Sequence, residues 1–155
     1  MKYLLLLAAL TSFYSTADVN EELNCMALNI YHEARSESLA GQYAVADVVL
    51  NRVDSNRFPK SICEVVKQAK LWKGNPIRNK CQFSWYCDGL SDTATETNSW
   101  QQAVEIAISI TLHDKFRGIT EGATHYHTNF VDPYWNVDMR LIGTIGDHIF
   151  YLENR

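Results

Sequence analysis

The sequence lacks several features that mark other classes of protein. It contains no internal repeat and no low-complexity linker, which favours a single domain with one core. Its net charge of −4 is modest and no continuous basic block is present, which argues against a nucleic-acid-binding protein. After residue 14, no apolar run approaches the roughly 20 residues that a membrane-spanning helix requires.

The first residues are typical of an export signal rather than of a folded element. Lys2 provides a positive start, an apolar run extends to Tyr14, and small residues follow it. This pattern predicts a signal peptide over residues 1–17, cleaved after Ala17, and a mature domain over residues 18–155. We therefore expect export to the periplasm or the cell exterior, without stable membrane insertion after cleavage.

The four cysteines are expected to form two disulfides, because exported thiols tend to oxidise. Three pairings are possible, and we favour Cys25–Cys63 and Cys81–Cys87. The first pair would tie the opening helix to the third helix, and the second would close a short loop. Zinc binding is the competing interpretation, but no C-x-x-C pair is present.

Hydrophobic periodicity predicts a mainly helical α+β fold with a small antiparallel sheet on the C-terminal side. The predicted helices cover residues 21–35, 39–53, about 60–70, and a stretch that begins at 97 or 98. The segment 71–95 is predicted to be an irregular, functional loop. The predicted strands cover residues 123–127, 141–145 and 148–152, with a hairpin turn at 146–147.

Glu33 is the candidate catalytic residue. It stands near the C-terminal end of the first predicted helix, just before a second helix that Ser38 can cap. Partial burial and the negative end of the helix dipole both disfavour its charge, so its pKa should be raised. A carboxyl group that stays protonated near neutral pH can act as a general acid. The alternative is an exposed Glu33 that pairs with Arg35 or a lysine.

A series of motifs runs in order through nearly all of the predicted mature chain. They are 27–35 (A-L-N-I-Y-H-E-A-R), 41–46 (G-Q-Y-A-V-A), 48–53 (V-V-L-N-R-V), 58–59 (F-P), 62–63 (I-C), 81–85 (C-Q-F-S-W), 123–127 (A-T-H-Y-H) and 145–151 (I-G-D-H-I-F-Y). This series closely resembles the SleB/CwlJ family of cell wall hydrolases. The resemblance implies a lysozyme-like fold and makes Glu33, in the E-A-R element, the catalytic acid. Ser36 departs from the Gly that is usual there, and we expect it to change only the backbone preference of the corner.

The resemblance implies an enzyme that cleaves the β-1,4 bond between N-acetylmuramic acid and N-acetylglucosamine in peptidoglycan. A hydrolase needs a second carboxylate, for which Glu37, Asp47 and Asp132 are the candidates. A lytic transglycosylase needs none, because the 6-hydroxyl of the sugar attacks the anomeric carbon, and this is the reaction that we favour. We expect a monomer that uses no cofactor and no metal ion. The alternatives are a water-using muramidase or glucosaminidase, a non-catalytic peptidoglycan-binding module, and a thiol peptidase with a free cysteine.

Six further residues are candidate contacts to the glycan strand: Glu37, Gln82, Ser84, Trp85, Tyr126 and His127. Glu37 either supports the site or is an exposed first-turn residue of the next helix. Gln82 is expected to face the glycan and Phe83 to be structural. His125 and His127 share one face of a strand, where a substrate-facing or core role is favoured over a metal site. Asn51 and Arg52 are expected to stabilise helix ends by pairing.

Overall fold

The structure, a computed structural model, describes residues 15–154. Three of the four helices lie in its first half, and three of the five strands lie in its second half. The helices are α1 (Thr16–Ala34), α2 (Leu39–Asp54), α3 (Ile62–Val66) and α4 (Thr97–His113). The strands are β1 (Ala69–Trp72), β2 (Asn75–Cys81), β3 (His125–Thr128), β4 (Met139–Ile145) and β5 (His148–Glu153), with 3₁₀ turns at Ser84–Cys87 and Tyr134–Asp138. The expected mainly helical α+β fold is confirmed. Most of the predicted signal peptide lies outside the described residues.

The four helices supply most of the core. Helix α2 lies at its centre, because residues 41–49 are buried without interruption. Its neighbours α1 and α4 contribute fully buried side chains, among them Met26, Ile30, Ile106 and Ile110. Burial of one such side chain contributes about 1.5–3 kcal/mol, so this packing is the main source of stability. Among residues 15–154, every helix is too short or too polar to span a membrane.

The C-terminal sheet has the strand order β3-β5-β4, and both pairings are antiparallel. The predicted hairpin between β4 and β5 is present. Its turn contains Gly146 at a φ of +60°, and a side chain there would overlap the carboxylate of Glu37. A glycine is therefore required at this turn for two reasons, its backbone conformation and the close approach of Glu37.

The segment after α3 differs from the prediction. Helix α3 ends at Val66 rather than near residue 70, and residues 69–81 form an antiparallel hairpin instead of an irregular loop. Its two-residue turn places Lys73 at φ 49° and Gly74 at φ 82°, as tight hairpins require. Residues 70–80 are all exposed, so neither face of the hairpin is buried. The sequence therefore lacks the alternation of apolar and polar residues from which a strand is predicted.

Both predicted disulfides are present, Cys25–Cys63 and Cys81–Cys87. The first joins α1 to α3, and the second joins the end of β2 to the following 3₁₀ turn. Together they use all four cysteines of the chain. The thiol-peptidase and zinc-thiolate alternatives therefore have no free thiol to use.

A buried carboxylate on α2 holds the segment that precedes β3. Asp47 is fully buried and accepts hydrogen bonds from the Gly118 amide (3.0 Å), the Thr120 amide (3.1 Å) and the Thr120 hydroxyl (2.6 Å). Arg117 pairs with it as well. From the next turn of α2, the side-chain Nδ2 of Asn51 donates to the carbonyl oxygen of Ala123 (2.9 Å). The expectation for Asn51 is thus wrong, because it joins two segments instead of stabilising a helix end.

Candidate active site

Glu33 lies where the helical body meets the C-terminal sheet. It stands one residue before the end of α1, is partly buried, and accepts a hydrogen bond from the Tyr126 hydroxyl of β3 (2.9 Å). Burial raises the pKa of Glu33, and the Tyr126 hydrogen bond opposes this increase. Burial and the adjacent carboxyl group raise the pKa of Tyr126 well above its ordinary value, so it remains a hydrogen-bond donor. Arg35 pairs with Glu96 (3.0 Å), and not with Glu33.

Arg52 supplies a buried positive charge beside Glu33. Its guanidinium group lies 5.1 Å from the ring centres of both Phe58 and Phe83, and its Nε donates to the carbonyl oxygen of Thr124 (2.7 Å). Its charge is one of the influences that lower the pKa of Glu33 against the larger effect of burial. The predicted helix-end role of Arg52 is wrong, because its side chain turns into the core between two aromatic rings.

The segment after β2, residues 82–87, packs against α1. The Trp85 indole is buried, stacks on the His32 ring at 4.7 Å and donates its N–H to Asn29 Oδ1 (3.0 Å). These contacts favour a structural role for Trp85. Gln82 and Ser84 are exposed on the same segment, so their side chains are accessible to a ligand. Phe83 is buried in the core, as expected.

Glu37 connects the corner between α1 and α2 to the β4–β5 turn. Only 10% of its side chain is exposed, and its carboxylate accepts from the Asp147 amide (3.1 Å) and lies 3.6 Å from His148 Nδ1. The exposed first-turn alternative is wrong, because the carboxylate folds back onto the hairpin turn. Burial lowers the pKa of His148, whose ring meets the Tyr126 ring edge to face at 5.0 Å. Glu37 thus supports, through His148, the tyrosine that contacts Glu33.

His125 and His127 lie on the face of β3 opposite to Tyr126. His127 is buried, with Nδ1 2.9 Å from the carbonyl oxygen of Thr128 and Nε2 3.0 Å from the Tyr151 hydroxyl. Since both ring nitrogens have partners inside the protein, a core role is favoured over the predicted substrate contact. Burial and then the charge of Arg52 lower the pKa of His125 to about 4. Within residues 15–154, no group of three metal-ligating side chains occurs.

Each candidate for the second carboxylate of a hydrolase is either held by other groups or exposed. Asp47 is enclosed by its hydrogen bonds, Glu37 is held by the hairpin turn, and Asp132 is exposed and accepts from Asn136 Nδ2 (2.8 Å). The charged groups that shift the pKa of Glu33 are basic, namely His32 and Arg52. Both basic groups therefore favour the charged form of Glu33, whereas burial favours its neutral form.

Periodicity missed the roles of Asp47, Arg52 and His148. A signal was present for the first two, because each is a charge within an otherwise apolar helix, and such a charge requires a buried partner. Ser36 is not among the residues with a positive φ, so serine fits the corner without backbone strain.

The arrangement of helices and sheet is that of SleB catalytic domains. The catalytic domain of the Bacillus cereus SleB protein aligns over 92% of this chain and 94% of its own, with 24% identity and a TM-score of 0.63. The catalytic domain of the germination-specific lytic transglycosylase SleB from Bacillus anthracis aligns over 92% of this chain and 100% of its own, with 28% identity and a TM-score of 0.64.

The family follows from the sequence match. The family model described as Cell Wall Hydrolase matches residues 36–151, well over half of the chain, and the protein belongs to this family. The spore cortex-lytic enzyme of Bacillus subtilis (strain 168) is 43% identical over 47 residues, which cover 30% of this chain and only 15% of that enzyme. The resemblance to SleB-type enzymes is confirmed. The family match begins three residues after Glu33, so the role of Glu33 rests on the geometry of the site.

Proposed function

We propose that this protein is an exported lytic transglycosylase that cleaves the β-1,4 bond between N-acetylmuramic acid and N-acetylglucosamine. The observation that carries the proposal is the environment of Glu33, a partly buried carboxyl group of raised pKa beside a tyrosine hydroxyl and a buried arginine. The Bacillus anthracis relative, described as a lytic transglycosylase, supports the same reaction.

In the proposed reaction, Glu33 first acts as an acid. Its protonated carboxyl group donates a proton to the glycosidic oxygen while the bond from that oxygen to the anomeric carbon of the muramic acid breaks. The resulting Glu33 carboxylate is stabilised by the Tyr126 hydroxyl and by the charge of Arg52. Glu33 then accepts the proton of the sugar 6-hydroxyl as its oxygen bonds to the anomeric carbon. The product carries a 1,6-anhydro ring, and Glu33 is protonated again.

A reaction with water would require a different site. A retaining hydrolase places a second carboxylate about 5–5.5 Å from the acid, and an inverting enzyme leaves about 6.5–9.5 Å for a water molecule. Glu37 and Asp47 are both engaged in holding the fold together, and basic groups surround Glu33. These contacts favour attack by the 6-hydroxyl over attack by water.

The remaining parts of the proposal concern location and substrate contacts. We place the protein in the periplasm or outside the cell, associated with the wall, as a monomer that uses no cofactor. Gln82 and Ser84 are the proposed contacts to the glycan, because they are exposed on the segment that packs against α1. Tyr126, expected from the sequence to bind substrate, is instead proposed to control the protonation of Glu33.

Replacement of Tyr126 by Phe tests whether Glu33 is the acid. The Tyr126 hydrogen bond lowers the pKa of Glu33, so its loss raises that pKa, and Glu33 stays protonated to a higher pH. We expect the alkaline limit of glycan release from purified sacculi to move up by about one pH unit, since one unit corresponds to about 1.4 kcal/mol and a hydrogen bond to a charged group contributes about 1.5–3 kcal/mol.

Tyr151→Phe is the matched control, because the Tyr151 hydroxyl contacts His127 on the same sheet and not Glu33. Its pH profile should coincide with that of the wild type. An unchanged or acid-shifted profile for Tyr126→Phe contradicts the assignment of Glu33, and wild-type protein that releases no fragments at any pH contradicts the proposed function.

A further inference from the structure

We propose that the β1–β2 hairpin and its base, residues 67–81, form a second binding surface for peptidoglycan, which recognises the free carboxylates of the stem peptides. We call this segment the basic hairpin. The inference rests on the proposed function for the identity of the polymer, and it adds a contact outside the site that cleaves the glycan.

The charge of the basic hairpin is opposite to that of the whole protein. Five of the 14 basic residues of the chain lie within it, and none of the 18 acidic residues does. These five are Lys67, Lys70, Lys73, Arg78 and Lys80. Within residues 15–154, no ion pair involves any of them. A local positive surface on a protein of net charge −4 favours an anionic partner at this place.

The basic hairpin also exposes large apolar side chains between its cations. Trp72 is 69% exposed and Leu71 is 59% exposed, although side chains of this size are usually covered. The Lys73 ammonium lies 6.0 Å from the centre of the Trp72 ring. An indole can stack on the apolar face of a sugar while the neighbouring ammonium pairs with a carboxylate. Peptidoglycan presents both groups, because acidic peptides branch from its sugars.

The base of the basic hairpin is fixed to the candidate active site. The Cys81–Cys87 disulfide joins it to the 3₁₀ turn that contains Trp85. The backbone N–H of Gln82 donates to the carbonyl oxygen of Gln68 (2.9 Å). Phe83, one residue further, packs against Arg52 beside Glu33. These contacts fix the position of the hairpin relative to Glu33, so both can engage one polymer at a constant spacing.

The distribution of the apolar side chains favours a polymer over a lipid surface. Trp72 pairs with Asn75 and Leu71 with Pro76, so the two large side chains project from opposite faces of the hairpin. A surface that lies on a bilayer gathers its apolar side chains on one face. Apolar side chains that are separated and alternate with cations match a chain of sugars and carboxylates better than they match a lipid bilayer.

The test measures binding to sacculi in a Glu33→Gln background, so that cleavage does not consume the ligand. We compare Lys73→Gln/Lys80→Gln with Lys115→Gln/Arg140→Gln, which removes two exposed cations elsewhere on the protein. The hairpin variant should bind intact sacculi about five- to tenfold more weakly, since each exposed ion pair contributes a few tenths to 1 kcal/mol. The control variant should bind within about twofold of its parent. Sacculi with amidated carboxylates should bind both variants equally.

Three outcomes overturn the inference. The first is an equal loss of binding in the hairpin and control variants, and the second is that the hairpin variant binds amidated sacculi as weakly as it binds intact ones. The third is that the hairpin variant loses binding only to vesicles of phosphatidylglycerol and phosphatidylcholine. The proposed function is tested separately, with the same substitutions and Glu33 retained. Hairpin-dependent binding without any cleavage would refute the proposed function alone, whereas cleavage with hairpin-independent binding would refute this inference alone.

Discussion

Glu33→Gln is expected to lower the release of glycan fragments from sacculi at least about 100-fold, the usual scale for loss of a general acid. The substitution keeps the shape of the side chain, and its amide oxygen can still accept the Tyr126 hydrogen bond. It removes the proton that the reaction requires. Binding to sacculi and thermal unfolding should remain close to those of the wild type, because the burial of the side chain does not change.

Glu37→Gln is the matched control for this substitution. Glu37 is the other carboxylate at the corner between α1 and α2, and its amide analogue can still accept from the Asp147 amide. We expect it to lower the rate by less than about tenfold, because its role is to position groups rather than to transfer a proton. A Glu33→Gln enzyme with half of the wild-type activity would contradict the account, and so would equal losses in the two variants.

The second large effect concerns stability. Asp47→Ala is expected to lower the free energy of unfolding by about 3–5 kcal/mol, the range measured when one partner of a buried ion pair is removed. The substitution leaves Arg117 without its buried partner and the Gly118 and Thr120 amides without an acceptor. Urea denaturation with both disulfides intact measures this difference.

Asp54→Ala provides an internal comparison, because Asp54 pairs with the same Arg117 (2.9 Å) but its side chain is 73% exposed. An exposed ion pair contributes at most about 1 kcal/mol. The account attributes the attachment of the segment before β3 to the buried hydrogen bonds of Asp47. Equal destabilisation by the two substitutions would contradict it.

The sequence predicted the elements that have a regular apolar pattern. Helix α2 and the β4–β5 hairpin were located almost to the residue, because periodicity and turn residues act locally. The β1–β2 hairpin was missed for the opposite reason, since both of its faces are exposed and its strands carry no such pattern. The basic residues of 67–81 are separated by uncharged ones, and the turn at 73–74 brings the two strands that carry most of them together.

The site was predicted only in part. The position of Glu33 and its raised pKa followed from its place near a helix end, and burial is the dominant cause in the structure. The partners of Glu33 come from α2 and β3, which are distant in sequence, so no local pattern could indicate that Tyr126 and Arg52 would lie beside it. The sequence predicted Tyr126 as a candidate substrate contact, whereas its hydrogen bond to Glu33 supports the proposed control of protonation.

The most direct test of the central claim is mass spectrometry of the products from purified sacculi digested in ¹⁸O-labelled water. In the proposed reaction, the sugar 6-hydroxyl attacks in place of water. The account therefore predicts glycan fragments that end in 1,6-anhydro-N-acetylmuramic acid and contain no solvent oxygen. Fragments with reducing ends that carry the ¹⁸O label would show that water is the nucleophile, and they would contradict the account.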